Sequence, residues 1–86
     1  MSLTAEQLGV AVDLIRTAPT LSDAAAQWRE RYPEVRTMRV SATDMRDETA
    51  ALQLGARSVY FVMTDGHCWS ITQEREEADA LILTED

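Results

Sequence analysis

The only histidine and the only cysteine of the chain are neighbours, at His67 and Cys68. An imidazole and a thiol are groups that nucleophilic catalysis and metal binding use. Three carboxylates lie upstream, on Asp44, Asp47 and Glu48. The residue types therefore raise two chemical hypotheses, a Cys–His pair or a metal site that joins His67 to these carboxylates.

The strand pattern around the pair argues against joint action. Asp65-Gly66 between two β-type runs predicts a two-residue hairpin turn, which pairs Met63 with Cys68. Because successive strand residues point to opposite faces, His67 and Cys68 are expected on different faces of the sheet. We therefore expect Cys68 to be a buried hydrophobic residue beside Phe61. His67 is expected to be exposed near the turn, either alone or as a ligand or contact residue.

Familiar catalytic and ligand-binding motifs are absent from the sequence. It contains no CxxC, HExxH, GxGxxG or P-loop pattern. Histidine-based acid–base catalysis needs a partner residue, and the sequence designates none. We predict a non-enzymatic protein with no catalytic residues and no cofactor. A metal or metallocluster-handling protein that uses His67, Asp44, Asp47 and Glu48 is the alternative.

Charge and length exclude several classes of function. The 86 residues are enough for one domain, residues 1–86, and carry a net charge of −7. Such a surface repels phosphate, so we expect no nucleic-acid partner. The longest apolar run, Val59–Met63, is far too short to span a bilayer, and no signal peptide is visible. With a single cysteine, the sequence favours a cytoplasmic protein that has no membrane partner.

The first half of the chain predicts a helical hairpin and one strand. Thr4 and Gln7 have the spacing of a capping box, which predicts a helix over 5–17. Apolar residues recur at helical spacing again from Leu21, and Pro33 ends that second helix near residue 32. Alternation over 35–42 then predicts a half-buried strand.

The second half predicts an irregular connection and further strands. The stretch 43–55 has no clear period, apart from a helical turn over 50–54 that Gly55 closes. The segment 58–64 is apolar on both faces and predicts a central strand, with 67–72 as its hairpin partner. After polar residues 73–79 comes a short terminal strand, 80–84, or one continuous helix to Leu83. A seven-residue connection is too short for a full parallel crossover.

These elements predict an α+β fold. The N-terminal helical hairpin is expected to pack on a small, mostly antiparallel sheet of three or four strands. One helical hairpin covers only one face of a sheet, so the other face, with Tyr60, Trp69 and Ile71, is expected to form a contact surface together with His67. A protein partner or a homodimer would occupy it. Alternatively, the 43–55 loop or the C-terminal segment folds over it.

Six segments carry a resemblance to known proteins: Trp28–Val35, Asp44–Glu48, Val59–Val62, His67-Cys68, Ile71-Thr72 and Ala78. Over roughly residues 21–85, the chain resembles a family of small uncharacterised bacterial proteins that is associated with nitrogen-fixation gene neighbourhoods. Members of that family are richer in acids and have a cysteine around positions 40–44, where this chain keeps only Asp44. The resemblance implies an accessory protein, for example in the assembly of a metallocluster or its regulation. It transfers no catalytic residues.

Overall fold

The computed structural model describes residues 3–65 and 68–85. The helices are α1 (Ala5–Thr17) and α2 (Leu21–Arg31), and a short 3-10 turn covers Arg75–Glu77. The strands are β1 (Arg36–Arg39), β2 (Leu52–Leu54), β3 (Arg57–Asp65), β4 (Cys68–Thr72) and β5 (Ala80–Glu85). The α+β class and the N-terminal helical hairpin are confirmed.

The helix ends follow the local sequence signals. Thr4 accepts a hydrogen bond from the Gln7 backbone N–H, and the Gln7 side chain accepts one from the Thr4 N–H, which completes the capping box. Thr20 caps α2 in the same position, and α2 ends at Arg31 with Tyr32 as its C-cap, directly before Pro33. Within residues 3–65 and 68–85, no helix has the length and apolarity that crossing a membrane requires.

The sheet has five strands and is mixed. Its order is β1-β5-β3-β2, and β4 also pairs with β3. β1 and β5 are parallel, whereas β3 is antiparallel to each of its neighbours. The sequence predicted three or four strands that are mostly antiparallel. The added strand is β2, where a helical turn was expected. A hairpin turn of Gly55 and Ala56 joins β2 to β3, and only Gly55 has a positive φ, +67°.

The last strand, β5, lies in the middle of the sheet. The sequence argued against a parallel crossover from β4 because only seven residues connect the two strands. β4 and β5 are parallel to each other on opposite sides of β3, joined by residues 73–79 alone. β5 begins level with the end of β4, since Thr72 pairs with Phe61 and Ala80 with Val62. The chain therefore crosses two strand spacings sideways, about 10 Å, without returning along the sheet. Seven residues can span about 23 Å, so the crossover is easily made.

Both faces of the sheet are covered. The helices pack on one face, against Val59 and Phe61 of β3 and Leu81 and Leu83 of β5. Alternate residues of the same strands form a second cluster on the other face, with Tyr60, Val62, Ala80, Ile82 and Met45. β5 is therefore buried from Ala80 to Thr84. An apolar run without alternation is typical of such a central strand.

The guanidinium group of Arg57 connects the end of α1 and the α1–α2 turn to the sheet. Nη1 of Arg57 donates to the carbonyls of Ile15 and Ala18, each at 2.7 Å, and Nη2 donates to that of Pro19 at 2.8 Å. Its Nε is 2.8 Å from a carboxylate oxygen of Glu85. The last carbonyl groups of a helix receive no hydrogen bond from within the helix. Arg57 supplies their donors and thereby places the end of α1 over the start of β3.

We expect Arg57→Lys to lower the free energy of unfolding by about 1–2 kcal/mol. A lysine keeps the charge, but its single ammonium cannot reach all the acceptors of the guanidinium fork. Urea unfolding followed by circular dichroism measures the change. Arg46→Lys, at an exposed loop position, is the matched control and should stay within about 0.5 kcal/mol. Equal stability of the two variants would contradict the role given to the fork.

Candidate functional site

The β3–β4 hairpin carries most of the residues that sequence reasoning selected for contact. Asp65 pairs with Cys68, Thr64 with Trp69 and Val62 with Ile71. The predicted turn at Asp65-Gly66 is wrong in position, because Asp65 belongs to β3. The register is shifted by two residues from the predicted one, and a shift of two leaves every side chain on its predicted face. His67 lies outside the described residues.

Tyr60 is not available as a contact residue, because the loop 40–51 covers it. Met45 in that loop is only 4% exposed and packs on Tyr60, Val62 and Ile82. The Tyr60 hydroxyl donates to the Met45 carbonyl at 3.3 Å. Of the alternatives that the sequence left open, the structure therefore shows a covering loop over this part of the face. The signal for it was Met45, an apolar residue within the otherwise polar stretch 43–49.

Trp69 is the most exposed large apolar side chain among the described residues and lies outside this cover. It is 54% exposed, while Ile71 on the same face is half-buried against the second-face cluster. Position explains the difference. β5 runs beside β3 only as far as Val62, and Trp69 lies opposite Thr64, beyond that point. None of the described strands lies there on the far side of β3 to extend the packing surface.

Cys68 is exposed, so its predicted burial is wrong. Its face of the sheet is the one that the helices cover, but Cys68 lies opposite Asp65, at the end of the hairpin. The helices lie over β1, β2, β5 and the first part of β3, up to Phe61, and this region is away from that end. Alternation along a strand thus identified the correct face for Cys68 and the wrong environment.

The outer edge of β4 presents backbone groups that have no strand partner among the described residues. The Val62 carbonyl accepts from the Asp79 N–H at 2.9 Å on the β5 side of β3, and the Val59 carbonyl accepts from Ala51 on the opposite side. Even-numbered residues of β3 therefore bond toward β5, and odd-numbered residues bond toward β2 and β4. By the same alternation, the N–H and C=O groups of Trp69 and Ile71 point away from β3. Within the described residues, β4 pairs with β3 alone.

This edge lacks the protection that the other sheet edges have. β1 is bounded by Arg36 and Arg39, and β2 has only three residues. Charged residues and short strands are the usual means of preventing edge-to-edge pairing. The sequence of β4, Cys-Trp-Ser-Ile-Thr, has no charge and no proline. It is therefore the sheet edge best suited to accept a further strand.

The predicted metal ligands lie on two separate parts of the chain. Asp44, Asp47 and Glu48 are exposed on the loop 40–51. Among the residues that the structure describes, no three side chains of metal-binding type come together. His67 lies outside that set, so metal binding by His67 with these carboxylates stays a prediction.

A groove of about 410 Å³ lies where β1 and β5 end beside the start of α2. Its charged residues are Arg39, which donates to the Ser22 hydroxyl, and Glu85, which binds Arg57. Both are engaged in contacts that hold the fold together. Among the described residues, this groove brings no nucleophile to a general base, so it gives no specific support to catalysis.

No protein-family model, curated protein or solved structure matches the chain. The resemblance of residues 21–85 to the nitrogen-fixation-associated family therefore remains a prediction. The function has to be argued from the chain's own residues, and the outer edge of β4 is the candidate site.

We expect Met45→Ala to lower the free energy of unfolding by about 2 kcal/mol, because it uncovers the second face of the sheet. The control is Met63→Ala, which removes the same atoms from a side chain that is 38% exposed and should cost less than about 1 kcal/mol. Thermal and urea unfolding measure both. Comparable losses would mean that the loop does not seal this face.

Cys68 should react with a thiol reagent in the folded protein at a rate within about tenfold of that in denaturant, because the side chain is accessible. The measurement is stopped-flow labelling with a chromogenic disulfide, in buffer and in urea. A native rate slower by a thousandfold would show that Cys68 is buried, as the alternation alone suggested.

Proposed function

We propose that the chain is a small non-enzymatic accessory protein that acts by binding another polypeptide along the outer edge of β4. The observation that supports this most directly is Trp69, more than half exposed on a strand whose outward N–H and C=O groups have no partner among the described residues. Aromatic residues are enriched in the centres of protein interfaces, where their large area is desolvated.

The chemistry of the edge favours an extended segment as the bound form. A strand that adds to a sheet bonds through its main chain, while side chains beside it give specificity. Here the main-chain groups belong to Trp69 and Ile71, and their side chains form an apolar strip on one face. Such a segment would extend the sheet without displacing the Met45 cover.

The biological setting of the proposal comes from the resemblance alone. The resembling family implies an accessory role in nitrogen fixation, such as support of metallocluster assembly or its regulation. Three of the four predicted metal ligands, Asp44, Asp47 and Glu48, lie on the loop 40–51 outside this edge, so contact through β4 is compatible with that role.

The experiment places a photo-crosslinking amino acid at position 69, in β4, and, as a control, at Gln53, an exposed position on β2. In extract of the source organism, we expect a discrete adduct from position 69 only. The adduct should disappear with Ile71→Pro, which removes an outward N–H without breaking a β3–β4 hydrogen bond. It should persist with Ile71→Ala, which shortens the same side chain and keeps the N–H.

An adduct that survives Ile71→Pro would show that the contact does not involve strand addition. Equal adducts from positions 69 and 53, or none from position 69, would also contradict the proposal. Far-UV circular dichroism of each variant confirms that the hairpin has formed.

A further inference from the structure

We infer that the segment bound by β4 is β4 of a second copy, paired antiparallel about a two-fold axis at Ser70. This inference rests on the proposed function, since it names the polypeptide that the edge binds. It follows from the hydrogen-bonding pattern, side chains and charges of the strand itself.

The hydrogen-bonding pattern of the edge is self-complementary. With the axis normal to the sheet and passing at Ser70, Trp69 lies opposite Ile71 of the second copy, and Ile71 lies opposite its Trp69. These are the two residues whose backbone groups point outward, so each pair exchanges both of its hydrogen bonds. Every outward N–H and C=O group of the two residues is then satisfied in both copies.

The side chains also fit this register. Trp69 and Ile71 lie on the same face, so each copy places an aromatic ring beside a β-branched side chain, a favourable cross-strand pair. On the other face, Ser70 meets Ser70 of the second copy at the axis, where a small side chain avoids a clash. Cys68 lies opposite Thr72.

Charge distinguishes this edge from the edge of β1. Each chain carries a net charge of −7, so two copies repel one another in general. β4 contains no charged residue, and its self-pairing brings no like charges into register. β1 carries an arginine at each end, Arg36 and Arg39, and charged residues on an edge strand oppose pairing with another edge. Self-association is therefore permitted at β4 and opposed at β1.

The register predicts a specific disulfide. Ser70 and its counterpart form a pair without hydrogen bonds, with Cα atoms about 4.5 Å apart, which is within the range for a disulfide. Cys68 and its counterpart are displaced by four residues along the strand, about 13 Å. In a glutathione redox buffer, the double variant Cys68→Ser/Ser70→Cys should therefore form a covalent dimer at least tenfold faster than the wild-type chain, which carries Cys68 alone.

Adding Ile71→Pro to this double variant should abolish the cross-link, whereas adding Ile71→Ala should retain most of it. Sedimentation equilibrium of the wild-type chain gives a second measurement. We expect a dimer whose association constant falls at least tenfold in Ile71→Pro. If the double variant cross-links no faster than the wild type and the chain is monomeric at every concentration, the inference is overturned.

The two proposals fail in different ways. A monomeric chain that still forms an adduct of another mass at position 69, sensitive to Ile71→Pro, binds a different polypeptide. The proposed function then stands, and the second copy is rejected. A monomeric chain without such an adduct rejects both.

Discussion

The placement of the helices depends on the Arg57 guanidinium. A helix end leaves carbonyl groups without partners, and the carbonyls at the end of α1 and in the α1–α2 turn lie beside Arg57 at the start of β3. Arg57 binds three of them and also Glu85 at the end of β5. The Arg57 side chain thus joins α1, the turn between α1 and α2, β3 and β5. Arg57 thus adds a polar anchor to the hairpin, whose apolar face packs on Val59 and Leu83.

Local chemistry made much of the fold predictable. The Thr4 capping box and Pro33 define helix ends through neighbouring residues, and the Val59–Met63 run indicates a central strand by its composition alone. β5 was harder to place. The length of the connection from β4 decides which strand positions β5 can reach only when the positions along β3 at which β4 ends and β5 begins are known. The turn at Gly55 was misjudged for a related reason. A glycine with positive φ closes a helix or a hairpin equally well.

The candidate site was predictable by face and unpredictable by exposure. Alternation placed Trp69 and Ile71 together, and a register shift of two residues could not separate them. Burial depends instead on how far the helices, β5 and the Met45 loop extend along β3, and these lengths are properties of the assembled fold. Cys68 and Tyr60 therefore exchanged environments relative to expectation. Alternation along a strand predicts which face a side chain is on, but it does not predict how far the helices, β5 and the Met45 loop extend over that face.

The central position of β5 also sets the order in which the protein can form during synthesis. The only sheet partner of β1 among the described strands is β5, and position 36 must wait for position 80. At roughly 5–20 residues per second, the ribosome needs several seconds to make the intervening chain. Helices and hairpins form in microseconds. Short helices and isolated hairpins are only marginally stable alone in water, so β1 and the helical hairpin wait for β5 in a partly ordered state, for a time that translation determines.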